Sequence, residues 1–351
     1  MSRQRSHLER LDQHTYYNAI ITNPTAVPVQ ATYSDSRTDA LIDVPRDFHF
    51  YIERASVSSV ATPLFIFEDG AYVVGLSYTT TYVQQALVFT SDSSVALSGY
   101  RDVYSINHFV KMINTAFAAA FATLSPSVPA PRLPNYPPQV SYDASTKLFS
   151  ITAETLYDPT STPTGTSIVI SLNTRLYQML GACWDSVYNG AVTSPTAVLD
   201  YQILIHSTNN NLVAIYPPTG PTPTANAYQM VGEFISSQLK SICRIVLLTS
   251  TIPVAQESIP KLVNGRVIEG NSSTPIVTDF AVNVDASENW GRPNYVYTPA
   301  YPRLTDLEGT SALQNITIQV MWQNCKGDLF PLYIPPFGEF SAKLVFRRKE
   351  R

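Results

Sequence analysis

Five histidines (His7, His14, His49, His108, His206) and three cysteines (Cys183, Cys243, Cys325) are the residues best suited to act as bases, nucleophiles or metal ligands. Their spacing speaks against each role. No C-x-x-C pair exists to start a zinc site, and an odd cysteine count argues against an oxidised scaffold. Buried free thiols in a reducing compartment are therefore expected. Cys183-Trp184-Asp185 has no adjoining base to activate a nucleophile. Glu68-Asp69 reads as turn chemistry rather than an acid/base pair. The sequence contains no G-x-S-x-G, H-E-x-x-H, P-loop, G-x-G-x-x-G or EF-hand pattern. A triad assembled in space leaves no such trace. With this many serines and threonines, chance proximity carries no weight. The expectation is no catalysis, no metal and no cofactor.

Charge supplies the remaining chemistry. At the C-terminus Lys343, Arg347, Arg348, Lys349 and Arg351 oppose only Glu350. Such a cluster suits an acidic neighbour or packaged nucleic acid, through phosphate neutralisation. A solvated tail is the plain alternative. Arg3, Arg5 and Arg10 stand in an N-terminal stretch without helical or strand periodicity. Together Arg3, Arg5, Arg10, Arg347, Arg348 and Lys349 are the expected partner-contacting charges.

Composition narrows the class. Only 14% of the 351 residues are charged, against about 25% for soluble domains. Proline (26) outnumbers glycine (14), and tyrosine (21) and phenylalanine (15) are frequent. Charge depletion with aromatic enrichment marks interface cores. Much of the exterior is thus expected under partner subunits. The net charge of −4 gives no global field for nucleic acid. No apolar run is long enough for a membrane span, and the opening residues lack the apolar core of a secretory signal.

The elements that must position these residues are mostly strands. Phe48, Phe50 and Ile52 alternate with His49, Tyr51 and Glu53, a period of two. The runs around Asp69-Gly70 read as a hairpin. Ile106 to Leu124 follows helical spacing, with Ser105 as a candidate cap and Ser125-Pro126 as a stop. Six prolines between Pro126 and Pro138 predict an extended strap. Ile242 to Thr249 is apolar on both faces apart from Arg244, as in a covered central strand. Clean alternation marks Ile276–Val284, Ile316–Trp322 and Phe340–Phe346, with a Tyr- and Pro-rich loop over 288–308. Long connections between antiparallel strands favour Greek keys, and two sheets so connected make a jelly roll.

Certain stretches resemble a known family. They are Tyr16-Tyr17-Asn18-Ala19-Ile20-Ile21, Tyr33 to Arg37, Pro45 to Val57, Pro63 to Phe67 and Val103 to Phe109 with its helix. The close, Pro331 to Ile334 and Ser341 to Lys349, fits too. They look like minor capsid proteins of virophages and Polinton-like viruses. The resemblance covers about the first 125 and last 20 residues. It implies a single-jelly-roll penton protein, five copies of which ring a five-fold vertex among trimeric major capsid proteins. It also implies a place in the virion, with synthesis in the host cytoplasm or viral factories.

The expected fold is mainly β: a jelly-roll β-sandwich with an inserted second domain carrying one amphipathic helix. The expected boundaries are an arm at 1–40, a base at 41–100 plus 241–348, and an insertion at 101–240 with helix 106–124. The expected function is a homopentameric vertex subunit acting by assembly, in contact with major capsid trimers and, through its basic termini, with nucleic acid. The alternatives are a trimeric spike, cement or host-attachment protein, and a carbohydrate-binding sandwich using Trp184, Trp290 or Trp322.

Overall fold

Apolar side chains at alternate positions bury one face of a strand, so Ile316, Ile318, Val320 and Trp322 point inward together. The same rule organises most of the chain in the computed structural model. It describes residues 14–58, 63–91, 101–158, 167–182, 186–188, 199–205, 211–215, 225–234, 236, 242–254, 262–263, 266–267, 275–282, 294–324 and 327–349. The chain divides into two compact units. One takes the described residues up to Pro63 and from Ile242 onward, the other those from Leu64 to Ser236.

Eight of the described strands frame the first unit: β1 (His14–Thr22), β2 (Thr32–Ser36), β3 (Phe48–Ser58), β4 (Ile242–Leu248), β5 (Ile276–Ala281), β6 (Asn294–Tyr297), β7 (Asn315–Asn324) and β8 (Glu339–Arg348). All pairings are antiparallel. β1 pairs with β8, β2 with β7, β3 with β6 and β4 with β5. Links β8–β3 and β7–β4 join them into two sheets, in the orders β1-β8-β3-β6 and β2-β7-β4-β5. First with last, second with second-last, and so inward: this is the Greek-key winding of a jelly roll. Its core contains Phe50, Ile52, Phe340, Leu344 and Phe346 from one sheet, and Ile245, Leu247, Val320 and Trp322 from the other. β4 is buried on both faces, as its composition predicts. Val246 and Leu248 pack outward with Ile276, Met321 and Leu329 as a separate cluster.

Several boundaries differ from the sequence expectation. Residues 14–22 and 32–36 are strands, β1 paired along all nine residues with the distant β8 and β2 with β7. Among the described residues, 64–91 fall in the second unit. The loop expected at 288–308 contains β6, whose Tyr297 stacks on Phe280 at 5.0 Å. Cys243 is disulfide-bonded, which corrects the reading of three free thiols. Cys183, Cys325 and the Pro217–Pro223 loop lie outside the described residues.

The second unit is inserted between β3 and β4. Its helix α1 spans Ile106–Leu124, with Ser105 Oγ accepting from the His108 amide at 3.2 Å. Phe109, Ile113, Phe117, Ala120 and Leu124 form its buried stripe. Asn114 ties it to Val140 by donating to the carbonyl (2.9 Å) and accepting from the amide (2.7 Å). The hairpin here joins Val73–Tyr78 to Thr81–Ala86 and turns at Thr79, which has φ 51°. The Asp69-Gly70 turn therefore does not close the expected hairpin: Phe65–Ile66 pairs instead with Asp102–Val103. Glu68 and Asp69 bind Arg175 and Arg101. The proline strap contains two single 3-10 turns, Ser125–Ser127 and Ala130–Arg132, rather than running fully extended.

Candidate assembly surface

Three strands bring the outward side chains of the β1-β8-β3 sheet into rows. His14 lies opposite Arg347, which lies opposite His49. The next outward row is Tyr16, Val345 and Tyr51, and the third is Asn18, Lys343 and Arg54. A fourth runs across the whole sheet as Ile20, Ser341, Ser56 and Val296. Tyr16, Ile20 and Val296 are 55%, 53% and 62% exposed. These are large apolar side chains left in water, and in the fourth row the two central positions are serines.

The basic C-terminal residues lie on this face and its end. Arg347 and Arg348 belong to β8 and are no tail, and the Lys349 amide donates to the Asp47 carbonyl at 2.8 Å. Lys349 Nζ stands 3.0 Å from Asp306, and His49 Nδ1 lies 2.8 Å from the same carboxylate. The Lys349 ammonium, then the His49 ring, hold the Asp306 carboxyl below the usual range. A depressed carboxylate stabilises the fold above its unfolded-state pKa and loses that contribution as pH falls through its folded one. At this exposed site solvent screens the effect heavily. Lys343 Nζ reaches Glu53 at 2.6 Å and lies 4.8 Å over the Tyr16 ring. Arg3, Arg5 and Arg10 lie outside the described residues. Asp306 and Glu53 were absent from the sequence-based set. Their partners are remote in sequence, and only the strand register brings them together.

One end of the same unit carries an uncharged tip. Asn23, 1% exposed, donates through Nδ2 to the carbonyls of Val27 (2.8 Å), Ile334 (3.0 Å) and Pro335 (3.1 Å). Its Oδ1 accepts from the Thr25 amide and hydroxyl. The tip so fixed presents Phe337, 83% exposed, at φ 60°. A bulky residue in that region is strained.

Tyr17 joins β1 to β2, donating to Asp35 at 2.5 Å and sharing a short hydrogen bond with the Tyr33 hydroxyl. Burial, followed by the Asp35 and Tyr33 bonds, pushes its phenol far above the ordinary value. Tyr17→Phe removes a bond to an ionised partner and is expected to cost about 1.5–3 kcal/mol. Urea unfolding reads this directly, and an unchanged midpoint would remove the tie from the account of the fold.

Reactive groups are sparse among the described residues. No three His, Cys, Asp or Glu side chains converge as metal ligands there. An open cleft of about 400 Å³ is lined by Thr251, Pro253, Glu308, Gly309, Ser311, Ala312, Leu313, Gln314 and Asn315. Glu308 is its sole titratable side chain. His108 Nε2 lies 2.5 Å from the Thr90 carbonyl. Trp322 is 3% exposed and stacks on Phe330, so it offers no sugar platform. Trp184, Trp290, His7, His206 and the Cys183-Trp184-Asp185 segment lie outside the described residues.

Known proteins share this architecture. The family described as Sputnik minor capsid protein V18/19 matches residues 15–348. Structural protein V19 of Sputnik virophage is 28% identical over 213 residues, 59% of this chain and 93% of that protein. A chain of the 3.5 Å cryo-EM structure of the Sputnik virophage aligns with TM-score 0.71 at 23% identity, covering 96% of this chain and 98% of that one. The mavirus penton protein aligns with TM-score 0.63 at 13% identity, covering 96% of this chain and 100% of that one. Both structural alignments span nearly the whole chain, insertion included.

Proposed function

Because this chain belongs to the Sputnik minor capsid protein V18/19 family, and is thus a structural component of a virion shell, we propose that it is the vertex subunit, five copies of which close a ring. The observation that carries this reading is the jelly roll with its insertion, whose likeness to the mavirus penton protein extends over 96% of the chain. A ring of five needs heterologous contacts, one flank of each subunit meeting the opposite flank of the next. Its neighbours in the shell are the major capsid trimers. Arg3, Arg5, Arg10, Arg347, Arg348 and Lys349 are assigned as partner-contacting charges, facing acidic protein surface or packaged nucleic acid. The chain acts by burying surface rather than by turning over a substrate. Synthesis in the host cytoplasm or viral factories precedes incorporation.

Native mass spectrometry of the purified chain tests the ring. The expected species has five times the 38.8 kDa chain mass. A trimer favours the spike or cement reading, and a monomer at micromolar concentration removes the ring.

A further inference from the structure

The four sheet edges of the jelly-roll base are not alike. A free edge exposes unpaired amides and carbonyls, and soluble proteins blunt it with short strands, charges, proline or bulges. Three of the four edges are blunted. β6 has four residues. β5 carries Asp279. The edge along β7 is shared by β2, which carries Asp35, and by Leu329–Pro331, which ends in proline.

β1 has none of these devices. Its nine residues, His14-Thr-Tyr-Tyr-Asn-Ala-Ile-Ile-Thr22, contain no Asp, Glu, Lys, Arg, Pro or Gly. It pairs with β8 through nine consecutive residues without a register shift. Among the described strands none pairs with its other side. The exposed Tyr16 and Ile20 stand four residues apart on its outward face.

We infer that the free edge of β1 is a strand-acceptor site. It takes an extended, uncharged segment with apolar residues at alternate positions, supplied by a different protein of the shell. Main-chain hydrogen bonds would give affinity, and Tyr16 and Ile20 would set register. A second copy of this chain fits poorly. No other described edge of the base is an uncharged, proline-free strand of similar length, and the insertion's uncharged edge strand Thr81–Ala86 has six residues against nine, so a ring neighbour offers no described match in length. Pairing of β1 with its own copy would make a two-fold contact, whereas a ring requires a heterologous one. This inference rests on the vertex reading and names one of its partner contacts.

The test compares wild type, Ile20→Lys and Ile20→Thr, each co-expressed with the major shell protein of the same virus. An edge lysine opposes strand addition, whereas threonine preserves β propensity. Ile20→Lys is expected to melt within about 2 °C of wild type, keep its oligomer mass, and enter purified particles ~10-fold less, the penalty of a buried charge. Ile20→Thr should enter within about twofold of wild type, as a neutral strand residue. Hydrogen exchange should show alternate amides within 14–22 protected in particles and exchanging in the free protein. Equal incorporation of Ile20→Lys with unchanged exchange overturns the inference. Loss of the oligomer in Ile20→Lys also overturns it, because the edge would then hold a second copy. A wild-type chain that never enters particles refutes the vertex reading itself.

Discussion

Replacing Phe346 with alanine is expected to destabilise the jelly-roll base by about 3–5 kcal/mol, the range for deleting a buried aromatic ring. Phe346 is fully buried on β8, which lies between β1 and β3 and so supports both. Its ring centre is 5.0 Å from that of Phe50, its register partner on β3. On β1 it faces Thr15, too small to fill the space a missing ring would leave. The cavity would therefore be poorly relaxed, which puts the cost at the upper end. Ser341→Ala changes the outward face of the same strand and should stay within about 0.5 kcal/mol. Denaturant unfolding of both variants decides the matter: a loss below about 1 kcal/mol for Phe346→Ala would mean that the two sheets are not packed through this residue. The same cavity loosens the strand that presents Arg347, so ring yield should fall with stability.

What local chemistry determines could be read ahead of the fold. Helix α1 begins and ends at the residues its 3.6-residue spacing and Ser105 cap indicate. β4 was recognisable because apolar residues on both faces need cover on both sides. β8 was visible from its alternation, though not the shift in its register against β3 between Lys343 and Leu344, where Glu53 is the extra residue. Pairing between distant segments left no such mark. The full length of β1 is not legible, because it is held by β8 at the far end of the chain and neither segment announces the other. The hairpin was misplaced because Gly70 makes a turn at φ 69° that joins no strand pair, while Thr79 makes the tight one with no glycine. The assembly face followed the same division. Its cations were visible as a cluster, but the pairing of Lys349 with Asp306 and of Lys343 with Glu53 depends on register. The contrast between β1 and the other edges needs the complete sheet order.

Phe109→Ala should separate the two units thermally. Phe109 is fully buried in the insertion and makes edge-on contacts with Phe65 at 5.0 Å and Tyr72 at 5.8 Å. Losing the ring costs about 3–5 kcal/mol, including aromatic pair terms of about 0.5–1.5 kcal/mol each. The cluster it anchors, from Phe65 through α1 to Met230, draws on insertion residues alone. For a unit of this size such a loss lowers the melting temperature by roughly 10 °C. Calorimetry of Phe109→Ala is therefore expected to move the insertion's transition and leave that of the base in place, with Phe346→Ala doing the reverse. The oligomer mass of the proposed ring should survive Phe109→Ala at temperatures where the insertion is already unfolded, because the base keeps its own core. A single transition shifted equally by both variants would join the two cores into one cooperative fold, and the ring could no longer be credited to the jelly roll alone.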